Sequence, residues 1–190
     1  MHSRCFVNAY IVLVGMLSLG VKAQSGSLCY AGIHQVAADQ PFVMPLASAC
    51  IESLPADKSG FWNSKLCVAA GVAAGISQLN DYANCYQGST VPAPTQYAAL
   101  DPNVYMSVVG GCTSGITNCP AITEENLVDL VYGQIEEAGL STTPDSVSDL
   151  EQDYIQPIFT FEKVSIAEGI SYSQFNDWLH NSGFTSHVPQ

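Results

Sequence analysis

Apolar positions in this chain recur mostly with a helical period. In residues 43–54, Met44, Leu46, Ala47, Cys50, Ile51 and Leu54 follow i, i+3, i+4, i+7 spacing. Pro45 fits such a helix only in its first turn, and Pro55 stops it. From Leu66 to Leu79 nearly every residue is small or apolar, which predicts one helix buried on all sides. Gly71 and Gly75, four apart, would share a face and admit a neighbouring backbone. Residues 81–100 break the period. Pro92 and Pro94 forbid a regular helix or ladder there, so the stretch reads as one long Tyr/Pro-rich loop.

Cap signals organise the remainder. Asp101-Pro102 opens a short helix bearing Val104, Tyr105, Val108 and Val109, and Gly110-Gly111 ends it. Thr123 caps a helix striped by Leu127, Leu130, Val131, Ile135 and Ala138, with Gly139 just past its end. Thr143-Pro144-Asp145 predicts another helix start, continued by Val147, Leu150, Tyr154, Ile155 and Ile158, with Pro157 kinking or ending it. Residues 159–166 read as a short strand or extended turn. Ser171 and Gln174 form a capping box ahead of Phe175, Trp178 and Leu179, and Gly183 closes that helix. About six helices and no run of alternating strands give a mainly α fold, a disulfide-stapled, helical bundle-like domain with one long loop.

The N-terminus changes the class of the protein. Arg4 precedes 13 apolar or small residues, Ala9 to Val21, and Val21-Lys22-Ala23 resembles a cleavage site. Residues 1–23 therefore read as a removable secretory signal peptide. The run is shorter than the ~18–20 residues that span a bilayer as a helix. Residues 24–190 read as a single mature domain, localised outside the cell, with no membrane insertion after cleavage. Without residues 1–23 the chain keeps three lysines, no arginine and all 17 acidic residues, a formal charge of −14. Such a surface repels phosphate backbones, which argues against a nucleic-acid partner. Charged residues are only 12% of the chain against 47% hydrophobic, the balance of a folded core.

Cleavage also removes Cys5 and leaves an even set: Cys29, Cys50, Cys67, Cys85, Cys112 and Cys119. In the secretory route three disulfides are expected. Spacing singles out Cys112–Cys119, a short loop turned by Ser114-Gly115, and leaves the other pairings open. All six lie in residues 24–119, so the stapled portion is followed by a cysteine-free helical portion, 120–190.

No catalytic, metal or cofactor motif emerges. The serines lack a G-x-S-x-G context. No calcium loop is present, and His34, His180 and His187 are not at zinc-ligand spacing. His180 reads as a cation near a helix C-terminus. Asp149/Asp153 and Glu125/Asp129 are i, i+4 pairs that read as solvated acidic faces. Tyr82, Tyr86, Tyr97 and Tyr105 cluster in or beside the long loop and are the candidate binding residues, because tyrosine supplies an amphipathic contact surface.

With a leader, an even cysteine set, an acidic composition and no catalytic signature, the chain resembles in general character the small secreted cysteine-rich proteins of filamentous fungi. That resemblance of type carries over no functional residue, and the segment Tyr172–His180 looks like a motif to which it attaches no activity. The expectation is a secreted, non-enzymatic binding protein for an extracellular glycan or protein partner. A small acidic hydrolase working through carboxylates, or a wall-associated or storage protein, are the alternatives.

Overall fold

The fold is seen in a computed structural model that describes residues 40–55, 60–86, 91–112 and 115–183. The expected signal peptide at 1–23 and Cys29 lie outside the described residues, as do the side chains of Tyr86 and Thr117. The described chain is helical: α1 Val43–Ser53, α2 Lys65–Ala74, α3 Ile76–Tyr86, α4 Pro102–Val108, α5 Glu124–Glu137, α6 Val147–Asp149, α7 Gln156–Glu162 and α8 Tyr172–Asn181. Short 3₁₀ turns at Phe61–Asn63, Pro94–Gln96 and Ile116–Asn118 link them. Among the described residues the only β pairing is a single antiparallel bridge, Ile122 to Ile170.

α2 is the centre. Every residue from Cys67 to Ala74 is buried, and α1, α3, α5 and the turn at 61–63 all pack on it. Its alanines and glycine give neighbours close access. A Cβ on Gly71 would stand 3.0 Å from Ile76 Cδ1 and 3.5 Å from the Trp62 ring. Gly75, however, does not continue the face. At φ 77°, ψ 147° it holds a conformation open essentially only to glycine, and it ends α2. The expected single helix over 66–79 is therefore two. α3 starts at once and runs on to Tyr86, through the first residues of the expected loop.

Three other expectations change. The segment after Thr143 does not start a helix at Asp145, because the Asp145 N–H donates to Gln40 Oε1 at 3.3 Å. Ser146 is the cap, its Oγ accepting from the Asp149 N–H at 3.0 Å. Pro157 does not end the run. Proline lacks an N–H and would clash with the carbonyl four residues back. The chain widens to a π turn over Leu150–Ile155, where the Gln156 N–H reaches Glu151 O, and then returns to α geometry through Glu162. Phe159 to Glu162 is thus helix, not strand or extended turn. Lys163 closes it in the left-handed conformation at φ 57°. The caps at Asp101, Thr123 and Ser171 form as expected.

Cys112–Cys119 is bridged. Cys50–Cys67 ties α1 to α2, a pairing the sequence leaves open. Cys85 is also disulfide-bonded. One apolar cluster takes in residues from both sides of position 120, including Val68, Leu127, Ile158 and Trp178.

If residues 1–23 are cleaved, as the sequence leads one to expect, Cys29 is the cysteine left to pair with Cys85. Non-reducing peptide mapping of the purified protein should then recover a Cys29–Cys85 peptide; a Cys5–Cys85 peptide would mean that residues 1–23 are retained. Gly169 supplies a sharper test of packing. It sits at φ 74°, and a Cβ there would lie 2.8 Å from Ala121 Cβ and 2.9 Å from Ile122 O. Gly169→Ala should cost about 3 kcal/mol in urea unfolding through left-handed strain plus overpacking. Gly139→Ala, at φ 66° with nothing within 4 Å, should cost only about 1 kcal/mol.

Candidate functional site

Residues 91–101 cross the protein in irregular conformation, and helices on two sides hold them by side chains. From α3, Asn80 Nδ2 donates to Pro92 O at 2.8 Å and to the Tyr97 hydroxyl at 2.6 Å. Asn84 Oδ1 accepts from the Val91 N–H at 2.7 Å. From α8, the Tyr172 hydroxyl donates to Leu100 O at 2.6 Å, and Asn176 Oδ1 accepts from the Leu100 N–H at 2.8 Å. His180 Nε2 lies 3.2 Å from Ala98 O and 3.3 Å from Tyr97 O. Tyr172, Asn176 and His180 are four apart and so share one helix face. This explains the 172–180 motif as a docking edge for the crossing. The turn at 61–63 completes the clamp: Trp62 O accepts from the Asp101 N–H at 3.0 Å, and Phe61 stacks on Tyr97 with ring centroids 4.7 Å apart.

The candidate tyrosines do not assemble into one exposed surface. Tyr82 is 4% exposed on α3, its hydroxyl 2.7 Å from Ser48 Oγ. Tyr97 is half-buried between Phe61 and Trp62. Burial pushes its hydroxyl well above the ordinary phenol range, against the pull of the Asn80 bond. Tyr105 is 1% exposed and donates to Pro120 O at 3.0 Å and Ile170 O at 3.3 Å. Burial pushes its hydroxyl up to about 12. The Tyr86 side chain lies outside the described residues.

Tyr105 does line a half-open cleft of about 330 Å³. One wall is the disulfide loop, through Ile116, Cys119 and Ala121; the other is the start of α8, through Ser171, Tyr172 and Ser173. The two tyrosine rings meet edge to face at 5.3 Å. Ser171, Tyr172 and Ser173 lie outside the tyrosine set that the sequence marks for binding. Ser171 was legible only as a helix cap, and Tyr172 faces Tyr105 through a contact between distant segments. The cleft combines apolar and hydroxyl-bearing side chains, and its described lining includes no Asp or Glu.

The carboxylates lie elsewhere. Glu125, Asp129 and Asp153 are exposed and Asp149 is partly so. Glu162, at the end of α7, is half-buried, and burial followed by the charge of Asp177 on α8 holds its carboxyl above the usual range. Burial does the same to Asp81. Among the described residues no group of three or more His, Cys, Asp or Glu side chains is placed to hold a metal ion, and no helix is long and apolar enough to cross a membrane. No protein family, no curated protein and no solved structure matches this chain.

A carboxyl whose folded-state pKa is raised contributes stability that is full below the ordinary carboxylate range and is lost as pH rises through the raised value. Glu162→Gln should therefore stabilise the protein at pH 7, by less than about 1 kcal/mol given solvent screening. The gain should vanish below pH 4. Chemical denaturation of both proteins at the two pH values checks it.

Proposed function

We propose that this is a secreted, non-enzymatic binding protein of the extracellular space, and that its ligand is a neutral glycan held by one or two sugar rings. The leader pattern and even cysteine set support export, and the disulfides and helical core suit a protein that persists there. The observation that carries the reading is the cleft between the Cys112–Cys119 loop and the start of α8. At about 330 Å³ it lies at the small end of ligand pockets, which run ~300–1,000 Å³. The half-buried Tyr172 ring and the Ser171 and Ser173 hydroxyls combine an apolar surface with hydrogen-bonding groups, the pairing that an amphipathic sugar ring needs. A net charge of −14 after the leader opposes anionic ligands.

Residues 24–190, applied to an array of neutral glycans, should bind above background. Ser173→Trp, which puts a large ring at the cleft rim, should reduce that binding at least tenfold while leaving the circular dichroism spectrum unchanged. Absence of binding by the unmodified protein, or equal binding by Ser173→Trp, would overturn the reading.

A further inference from the structure

His180 differs from the other two side chains on its edge of α8. Tyr172 donates and Asn176 Oδ1 accepts, each to a suitable backbone group. His180 faces acceptors on both sides: Nδ1 lies 2.6 Å from Asn176 O, and Nε2 lies 3.2 Å from Ala98 O and 3.3 Å from Tyr97 O. A carbonyl oxygen can only accept. A neutral imidazole carries one N–H and must turn a lone pair toward oxygen at its other nitrogen; only the imidazolium donates in both directions.

We propose that His180 is a proton-operated latch on the 97–100 stretch of the crossing. Protonated, it fastens that stretch to α8. Neutral, one of its two contacts becomes repulsive. Releasing Nε2 frees Tyr97 and Ala98 directly. Releasing Nδ1 disturbs Asn176, whose own side chain holds the Leu100 N–H. Either way the same link loosens. The proposal does not depend on what the cleft binds.

The surroundings suit a cation. His180 lies in the last turn of α8, where the helix dipole favours positive charge. On its own helix the nearest acid is Asp177, which interacts with Glu162 of α7. On the crossing, the Tyr97 hydroxyl is bonded to Asn80, and the Asp101 carboxylate caps α4 by accepting from the Asn103 N–H at 2.7 Å. The 61–63 turn presents the Trp62 ring, centroid to centroid at 6.4 Å, and Lys65 follows it at the start of α2. No described carboxylate forms an ion pair with His180, so the carbonyl oxygens are its partners.

Imidazole titrates in the pH 5–8 range, which sets the experiment. Amide hydrogen exchange at Leu100 and Asp101, followed by NMR from pH 5.0 to 8.0 and corrected for intrinsic rates, reads the latch. Protection should fall roughly 10- to 100-fold as pH rises, the worth of one charge-assisted hydrogen bond. In His180→Gln it should stay flat with pH. In Glu162→Gln the fall should persist, because the carboxyl is not its source. Flat protection in the unmodified protein, an equal fall in His180→Gln, or loss of the fall in Glu162→Gln would each overturn the latch. Should His180→Gln fail to fold, ¹⁵N shifts of the His180 ring in the unmodified protein give the second reading. Ring titration and loss of protection at the same pH support the latch, and transitions at different pH refute it.

Discussion

Peptide groups that leave water must find partners, and residues 91–101 have only the 3₁₀ turn at Pro94–Gln96 and no sheet in which to find them. Pro92 and Pro94 lack the N–H that a ladder needs. The crossing is stable only because side chains from α3 and α8 take the place of a neighbouring strand. The geometry of α8 makes this possible. From Tyr172 to His180 a helix rises about 12 Å, while the extended chain from Leu100 back to Tyr97 covers about 10 Å, so one helix edge keeps pace with the backbone beside it. Each bond adds only ~1 kcal/mol net, but losing a part-buried one, such as that between Leu100 and Asn176, would leave a shielded group unsatisfied at ~1–3 kcal/mol. The placement of α8 and the turn at 61–63 therefore follows from the needs of a segment that has no regular structure of its own.

The same logic of close approach governs the core. α2 can be surrounded because its residues are small, and the Cys50–Cys67 bridge fixes α1 against it. Gly75 then lets α3 leave in a new direction without a connecting loop. Local signals for this fold were readable wherever they were self-contained. Asp101, Thr123 and Ser171 announce helix starts because a cap satisfies its own first turn. Signals that depend on distant partners were not. Whether Gly75 continues or breaks a helix depends on what surrounds it. Pro157 looks like a stop until the chain absorbs it as a wide turn, and Asp145 looks like helix until Gln40 takes its N–H.

The candidate site was less legible for the same reason. Tyrosine enrichment around the loop marks residues in the sequence, but side-chain exposure is not written in local order. Tyr82, Tyr97 and Tyr105 each send a hydroxyl to a partner on another element and turn the ring inward. The cleft joins residues 105, 116–121 and 171–173, segments that meet through the Ile122–Ile170 bridge and the close approach at Gly169. The 172–180 segment reads as a motif in the sequence. Its role needed the crossing, which sequence periodicity treats as a blank.

Charge connects these pieces. With only five basic residues against 17 acidic ones, the described crossing is held by amides and hydroxyls rather than by ion pairs. In such a chain the proton is the readily available cation. Glu162, at the α7–α8 contact, is at ease when protonated, and the His180 ring between α8 and the crossing satisfies both neighbouring carbonyls only when protonated. His180 lies on α8 and Glu162 beside it, and protonation of Glu162 favours the folded arrangement as pH falls. Acidification, which strengthens self-repulsion in a basic protein, here reduces net charge and tightens the helix edge that holds the crossing.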